Sequence, residues 1–172
     1  MTKDKLRLLL FDDCNRNCPG CCNRDWDLQG LVGSEMCIRD RDYTPYRLIM
    51  LTGGEPMLYP EIIREAIAAI RRQTNVPIYL YTAMPEQLDA LMPLLDGVTV
   101  TLHTPEDIPV FQSFDRTAQN LTGKSLRLNV FDEVGTVICR PEWQVKDHMR
   151  WIPNCPLPEG EVLMRYQPSK NP

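Results

Sequence analysis

Apolar residues recur along the chain in short blocks of strand length, set apart by polar stretches rich in glycine and proline. Residues 6–11 (LRLLLF), 47–52 (RLIMLT), 78–82 (IYLYT), 97–103 (GVTVTLH) and 125–130 (SLRLNV) each read as a strand. Between the second and third blocks, Ile62, Ile63, Ala66, Ile67 and Ile70 fall on one helical face, and Pro60-Glu61 opens that helix over residues 59–73. Residues 85–95 predict a second helix, apolar at Leu88, Leu91, Met92 and Leu95. Pro105-Glu106-Asp107 opens a further one that packs through Val110, Phe111 and Phe114. Strands alternating with helices imply a parallel α/β sheet. Past Phe131 the pattern weakens. Residues 134–139 read as a strand or hairpin, 142–151 as a short helix, and 154–158 and 167–172 as irregular chain with a frayed end.

Chemistry enters directly after the first strand. Residues 12–26 read DDCNRNCPGCCNRDW, with Cys14, Cys18 and Cys21 at the spacing C-x3-C-x2-C and Cys22 immediately behind. Thiolates this close together suit a soft metal centre, zinc or iron–sulfur. A structural zinc site takes four ligands, usually as two separated pairs. No second pair follows at that spacing, so zinc here would need Cys14, Cys18, Cys21 and Cys22 together. An iron–sulfur cube usually takes four thiolates, and three leave one iron open. The second strand ends in Gly53-Gly54-Glu55-Pro56. Two glycines let backbone approach a ligand with no Cβ in the way, and Pro56 fixes the exit. By itself this is also an ordinary strand-to-helix turn.

The cysteine spacing after strand one, with a GGE motif after strand two, resembles the radical S-adenosylmethionine (radical SAM) enzymes. The resemblance implies that Cys14, Cys18 and Cys21 hold a [4Fe-4S] cluster and that Gly53, Gly54, Glu55 and Pro56 bind S-adenosylmethionine through its amino group. Thr82, Thr101, His103 and Asn129, on later strands, are further candidates for contacts to that cofactor. The implied fold is a partial (β/α) barrel of five or six mostly parallel strands, with its site at their C-terminal ends. The implied reaction is reductive cleavage of the cofactor to a 5′-deoxyadenosyl radical that abstracts hydrogen from a substrate. Many members carry an aromatic residue just before the third cysteine; Gly20 stands there instead. The block Cys18-Pro19-Gly20-Cys21, with Asn23 and Trp26, is similar to the activating enzymes of anaerobic ribonucleotide reductase. Those more often have Asp where Glu55 stands. A glycyl-radical activase is therefore one expectation. A small-molecule enzyme of the deazaguanine-synthase type, or a zinc-binding module, is the alternative. An electron donor such as flavodoxin or ferredoxin is the implied partner, with a glycyl-radical enzyme as a second one for an activase.

Totals adjust this picture little. The chain has 172 residues, a net charge of −4 and seven cysteines. An acidic balance argues against non-specific nucleic-acid binding. The absence of a long apolar run argues against a membrane span. Seven cysteines without an export signal suggest reduced thiols and a cytoplasmic protein, with Cys139 and Cys155 buried or free. Residues 31–41 (LVGSEMCIRDR) resemble an in-frame translation of a transposon-type sequencing adapter. They are set aside from fold reasoning, and Cys37 is not counted as a ligand. The first crossover helix is accordingly expected to be truncated. The expected organisation is a core over residues 1–130 and an irregular extension of the same domain over 131–172.

Overall fold

The computed structural model describes residues 3–22, 42–153 and 155–166. The expectations for Trp26, for the first crossover with residues 31–41 and for the 167–172 tail fall outside them. The chain divides into two compact units, Met1–Ile78 with Trp151–Pro172, and Tyr79–Arg150.

In the first unit, strand β1 (Lys5–Leu9) lies between β2 (Leu48–Thr52) and β7 (Glu161–Arg165), parallel to both. Leu6 and Leu8 are fully buried, and Leu9 and Leu10 nearly so. Such a continuous apolar run is what a parallel strand covered on both faces needs. Arg7 interrupts the run and is buried as well. Its Nε donates to Glu161 Oε2 at 2.7 Å and its second amino group to Oε1 at 3.2 Å. This two-pronged pairing compensates both desolvated charges. Helix α1 (Pro60–Arg71) starts on proline and buries Ile62, Ile63, Ala66, Ile67 and Ile70, the face its spacing predicts.

In the second unit, β3 (Ile78–Thr82), β4 (Gly97–Leu102), β5 (Ser125–Phe131) and β6 (Gln144–Met149) follow one another as parallel neighbours. Helix α2 (Asp107–Thr117) buries Phe111 and Phe114. Trp143 meets Phe111 edge-on at 5.1 Å, and its indole N–H donates to Asp115 Oδ1 at 2.8 Å. Arg140 donates to the same carboxylate from its Nε and its backbone N–H, each at 2.9 Å. Buried Asp115 is thereby satisfied on both oxygens. Cys139, beside this network, is a thiol whose pKa is pushed up by burial and then by the Asp115 charge.

Parallel strands interleaved with helical segments make this the expected α/β class, compatible with a partial (β/α) barrel. None of the described helices is long and apolar enough to cross a membrane.

Three local expectations are corrected, and one further strand is present. Residues 85–95 form two 3-10 segments, Pro85–Ala90 and Met92–Leu94, in place of one helix. Pro93 lacks an N–H, and its ring would strike the carbonyl four residues back, so an α-helix cannot pass through. Leu88, Leu91, Met92 and Leu95 are nevertheless buried as expected. Residues 142–151 are mostly strand β6, not helix, because β5 offers a row of backbone groups that must be paired. Residues 134–139 are turn and coil, with neither strand nor hairpin. Strand β7, which the apolar pattern does not announce, ends in Arg165 and is followed by the buried ring of Tyr166.

Candidate functional site

Past β1 the chain leaves the core through buried Leu10 and Phe11 and surfaces at Asp12, Asp13 and Cys14. Past β2 it turns sharply at Gly53 and Gly54, with φ of 93° and 29°. These two exits are bonded to each other. The Leu10 amide donates to Thr52 O at 2.8 Å, and the Glu55 amide donates to Asp13 O at 2.8 Å. A Cβ on Gly53 would sit 2.8 Å from Phe11 O and 2.9 Å from Leu10 N. A Cβ on Gly54 would collide outright with the Asp13 carbonyl. Both positions therefore demand glycine twice over, for left-handed backbone and for close approach.

Glu55 is buried, and its carboxylate accepts the Met57 amide at 3.0 Å, capping the 3-10 turn Pro56–Leu58. Pro56 is buried in that turn. Tyr59 donates its hydroxyl to Asp13 Oδ2 at 2.8 Å, while its ring meets Phe11 edge-on at 4.9 Å. The Asp13 acceptor, before any desolvation, pushes the Tyr59 pKa up. Asp12 takes both prongs of Arg165 at 2.9 and 3.0 Å, tying the start of the cysteine loop to the end of β7.

Within the loop, Cys14 is exposed and Cys18 and Cys21 are partly so; all three are thiols. The Arg16 amide donates to Cys14 Sγ at 3.4 Å. Among the described residues no three His, Cys, Asp or Glu side chains converge to hold a metal ion. The three thiols share one short loop without sharing a centre.

Cys22 and Cys155 form a disulfide, with Cα atoms 5.2 Å apart across 133 residues of sequence. The expectation of reduced thiols throughout is corrected at this pair, and Cys155 is neither free nor a buried thiol. The four-cysteine zinc set loses Cys22 for the same reason. The parallel pairing of β7 with β1 returns the C-terminal segment to this unit's sheet, and the disulfide ties residue 155, upstream of β7, to the cysteine loop. Trp151 comes back with it. A Cβ on Gly20 would lie 2.7 Å from Trp151 Cβ.

The remaining candidates lie in the second unit. Thr82 ends β3, and its Oγ1 accepts the Met84 amide at 2.9 Å, a local turn contact. Thr101 and Asn129 are brought together as register partners on β4 and β5, Asn129 Nδ2 donating to Thr101 Oγ1 at 3.4 Å. His103 follows β4; its amide donates to Asp107 Oδ2 at 2.8 Å, and its ring stands 5.0 Å from Phe131. The Cys14 loop and the diglycine turn are thus joined in one unit, and these four residues belong to the other.

Sequence reasoning missed Asp12, Asp13, Tyr59, Trp151 and Arg165. The paired aspartates next to the cysteines were a usable local signal for the first two. Nothing near Trp151 or Arg165 in sequence signals their place.

The Radical SAM superfamily profile matches residues 8–125. A GTP 3′,8-cyclase from Microcystis aeruginosa (strain NIES-843 / IAM M-2473) is 33% identical over 69 residues, 35% of this chain and 21% of that protein. The match thus spans about a fifth of the relative's length. The superfamily match begins inside β1 and runs through the cysteine loop and the diglycine turn to the start of β5, well over half of the sequence; this chain belongs to the radical SAM superfamily.

Proposed function

We propose that this chain is an enzyme that cleaves S-adenosylmethionine reductively, with Cys14, Cys18 and Cys21 as ligands of a [4Fe-4S] cluster. Superfamily enzymes use that cluster and that cofactor. The observation that carries the assignment to these residues is the bond from the Glu55 amide to the Asp13 carbonyl, which joins the two motifs at their backbones.

The donor set fits. Three soft thiols lie within eight residues, and the fourth nearby sulfur is withdrawn into a disulfide. The diglycine turn fits too, as a bare stretch of backbone beside that loop.

When bound, the cluster and S-adenosylmethionine supply one electron and the carbon–sulfur bond whose homolysis gives methionine and a 5′-deoxyadenosyl radical. The chain's residues bind and orient. Gly53 and Gly54 leave room for the amino-acid end of the cofactor. Glu55, buried and fixed by the Met57 amide, carries the anionic partner for its ammonium group. The Asp13–Tyr59 and Asp12–Arg165 contacts hold the loop entrance from two sides. An electron donor of the flavodoxin or ferredoxin kind is required.

Two substrate classes rest on specific observations. Similarity to a GTP 3′,8-cyclase, together with Glu55 in place of Asp, favours a small molecule. The Cys18-Pro19-Gly20-Cys21 block favours a glycyl-radical enzyme. Anaerobic reconstitution with iron and sulfide, followed by titration with S-adenosylmethionine under electron paramagnetic resonance, tests the shared core. The expected result is a reduced iron centre whose spectrum changes on adding cofactor. A Cys14→Ala protein that still loads the full cluster and cleaves the cofactor would refute the ligand assignment. Incubation with GTP or with a glycyl-radical protein, each scored by 5′-deoxyadenosine release, separates the two substrates.

A further inference from the structure

Alternation along the strands gives the second unit's sheet two faces. Val98, Val100, Leu102, Leu126, Leu128 and Val130 share one, and all are buried. The other carries Thr99, Thr101, Arg127 and Asn129, with Thr99 opposite Arg127 and Thr101 opposite Asn129 in the parallel register. Asn129 Nδ2 donates to Thr101 Oγ1, so that rung is satisfied across the strands.

The Thr99–Arg127 rung is not. Arg127 is half-buried, and its guanidinium carbon stands 5.0 Å from the centre of the Tyr79 ring. Gly97 makes room for that ring, since a Cβ there would meet Tyr79 Cδ1 at 2.8 Å. The ring face attracts the cation but takes none of its N–H groups. Among the described residues the guanidinium makes no hydrogen bond and no ion pair. Arg7, Arg140 and Arg165, by contrast, each hold a carboxylate. Thr99 is 2% exposed, and its Oγ1 has no hydrogen-bond partner among the described residues. A held cation and a buried hydroxyl thus face the same side of the same rung, both short of an acceptor.

We propose that Arg127 and Thr99 bind an oxyanion, a carboxylate or a phosphate, carried by a small-molecule substrate. The proposal rests on the function proposed above and names its substrate as an anion. A guanidinium fork matches the oxygens of either group, and packing on Tyr79 holds it in place beforehand. The Thr99 hydroxyl supplies a further donor. Lys146, opposite Asn129 on β6, adds positive charge on this side of the sheet and has no ion pair among the described residues. Arg127 lies four residues before Phe131, where β5 ends. The rest of the substrate therefore has about 13 Å of sheet along which to reach the strand ends, where barrel enzymes carry their chemistry.

The test uses the full chain, labelled with a nitrogen isotope for NMR, and reads the Arg127 Nε–H resonance, identified by its loss in Arg127→Gln. Inorganic phosphate and acetate are each titrated against sodium chloride at equal ionic strength. A saturable shift with phosphate or acetate, absent with chloride, is expected, and the tighter of the two names the group. Thr99→Val is expected to unfold at the same or higher urea, because it removes a buried hydroxyl that nothing satisfies, yet to bind that anion about tenfold more weakly. A merely structural threonine would not separate those two readings. In the anaerobically reconstituted chain, Arg127→Gln is expected to bind S-adenosylmethionine like the wild type by equilibrium dialysis. No saturable shift with either anion, wild-type affinity in Thr99→Val, or weaker cofactor binding in Arg127→Gln overturns the proposal and leaves the function standing. A wild-type chain that takes up neither iron nor cofactor overturns the function and with it the substrate, whereas the anion site is still decided by the titration, which needs neither.

Discussion

The backbone amide of Glu55 donates to the carbonyl of Asp13 at 2.8 Å, across 42 residues of sequence. One residue past Asp13 is the first cysteine, and the two residues before Glu55 are the glycines that let the strands approach. Motif and motif are in register because β1 and β2 are, with Leu9 opposite Thr52. Their chemistry inherits that register.

Substituting Gly54 by alanine tests this joint directly. Left-handed backbone on a non-glycine residue costs about 1–3 kcal/mol, and the Asp13 carbonyl lies where the methyl group must go. The variant is expected to unfold at lower urea and to lose S-adenosylmethionine binding. Gly123→Ala serves as the reference, since its left-handed turn has nothing near the added Cβ. Equal behaviour of the two variants would count against a close-approach role for Gly54.

Iron uptake should divide the cysteines. Cys14→Ala, Cys18→Ala and Cys21→Ala are each expected to lower iron per chain after reconstitution, whereas Cys139→Ala leaves it unchanged. Chelation of iron from the wild-type protein should abolish cofactor cleavage with the second unit still folded. Full iron in any one of the three variants removes that residue from the ligand set.

The buried ion pair of Arg7 and Glu161 makes an energetic prediction. With side-chain exposures of 11% and 8%, neither charge can be left alone cheaply. Arg7→Met or Glu161→Leu alone is expected to destabilise by about 3–5 kcal/mol. The double replacement Arg7→Met with Glu161→Leu should recover most of the loss. A double-mutant cycle in urea measures it, and additive losses would show that the pair is not coupled.

The Tyr59 phenol should titrate above the usual tyrosine range of about 10, because it donates to Asp13. Its folded pKa is raised, so the contribution of the contact is fully present below the unfolded value. It is lost as pH rises through the folded one. The difference between wild-type and Tyr59→Phe absorbance near 295 nm (a phenolate band) isolates this group. Asp13→Asn should bring it back down; no change on that substitution would mean the acceptor is elsewhere.

Non-reducing peptide mapping should recover a fragment joining Cys22 to Cys155. Closing a loop of 133 residues, the bond is expected to contribute about 2–4 kcal/mol, read as the stability difference of Cys155→Ser under oxidising conditions. If reduction of the wild type leaves its unfolding curve in place, that contribution is absent.

Several features were legible locally. The apolar blocks at β1 and β2 and the isoleucine face of α1 follow from periodicity, and Pro60 opens that helix where a proline is tolerated. The cysteine spacing and the diglycine needed only contiguous residues and the rule that glycine alone tolerates their backbone. Local reading failed at residues 85–95, where one proline outweighed an apolar face, and at β6, whose strand is nearly all exposed and owes its form to the partner β5 offers.

Covalent order along the chain therefore determined which short segments form and which residue types bear the chemistry, since those depend on neighbours a few positions apart. Tertiary structure alone decided what meets the cysteine loop. Arg7 with Glu161, Asp12 with Arg165, Cys22 with Cys155 and Gly20 with Trp151 are all separated by more than 130 residues. The first two pairs come together because β7 returns to pair with β1, a backbone preference that no side-chain pattern records, and the last two tie the segment upstream of β7 to the cysteine loop.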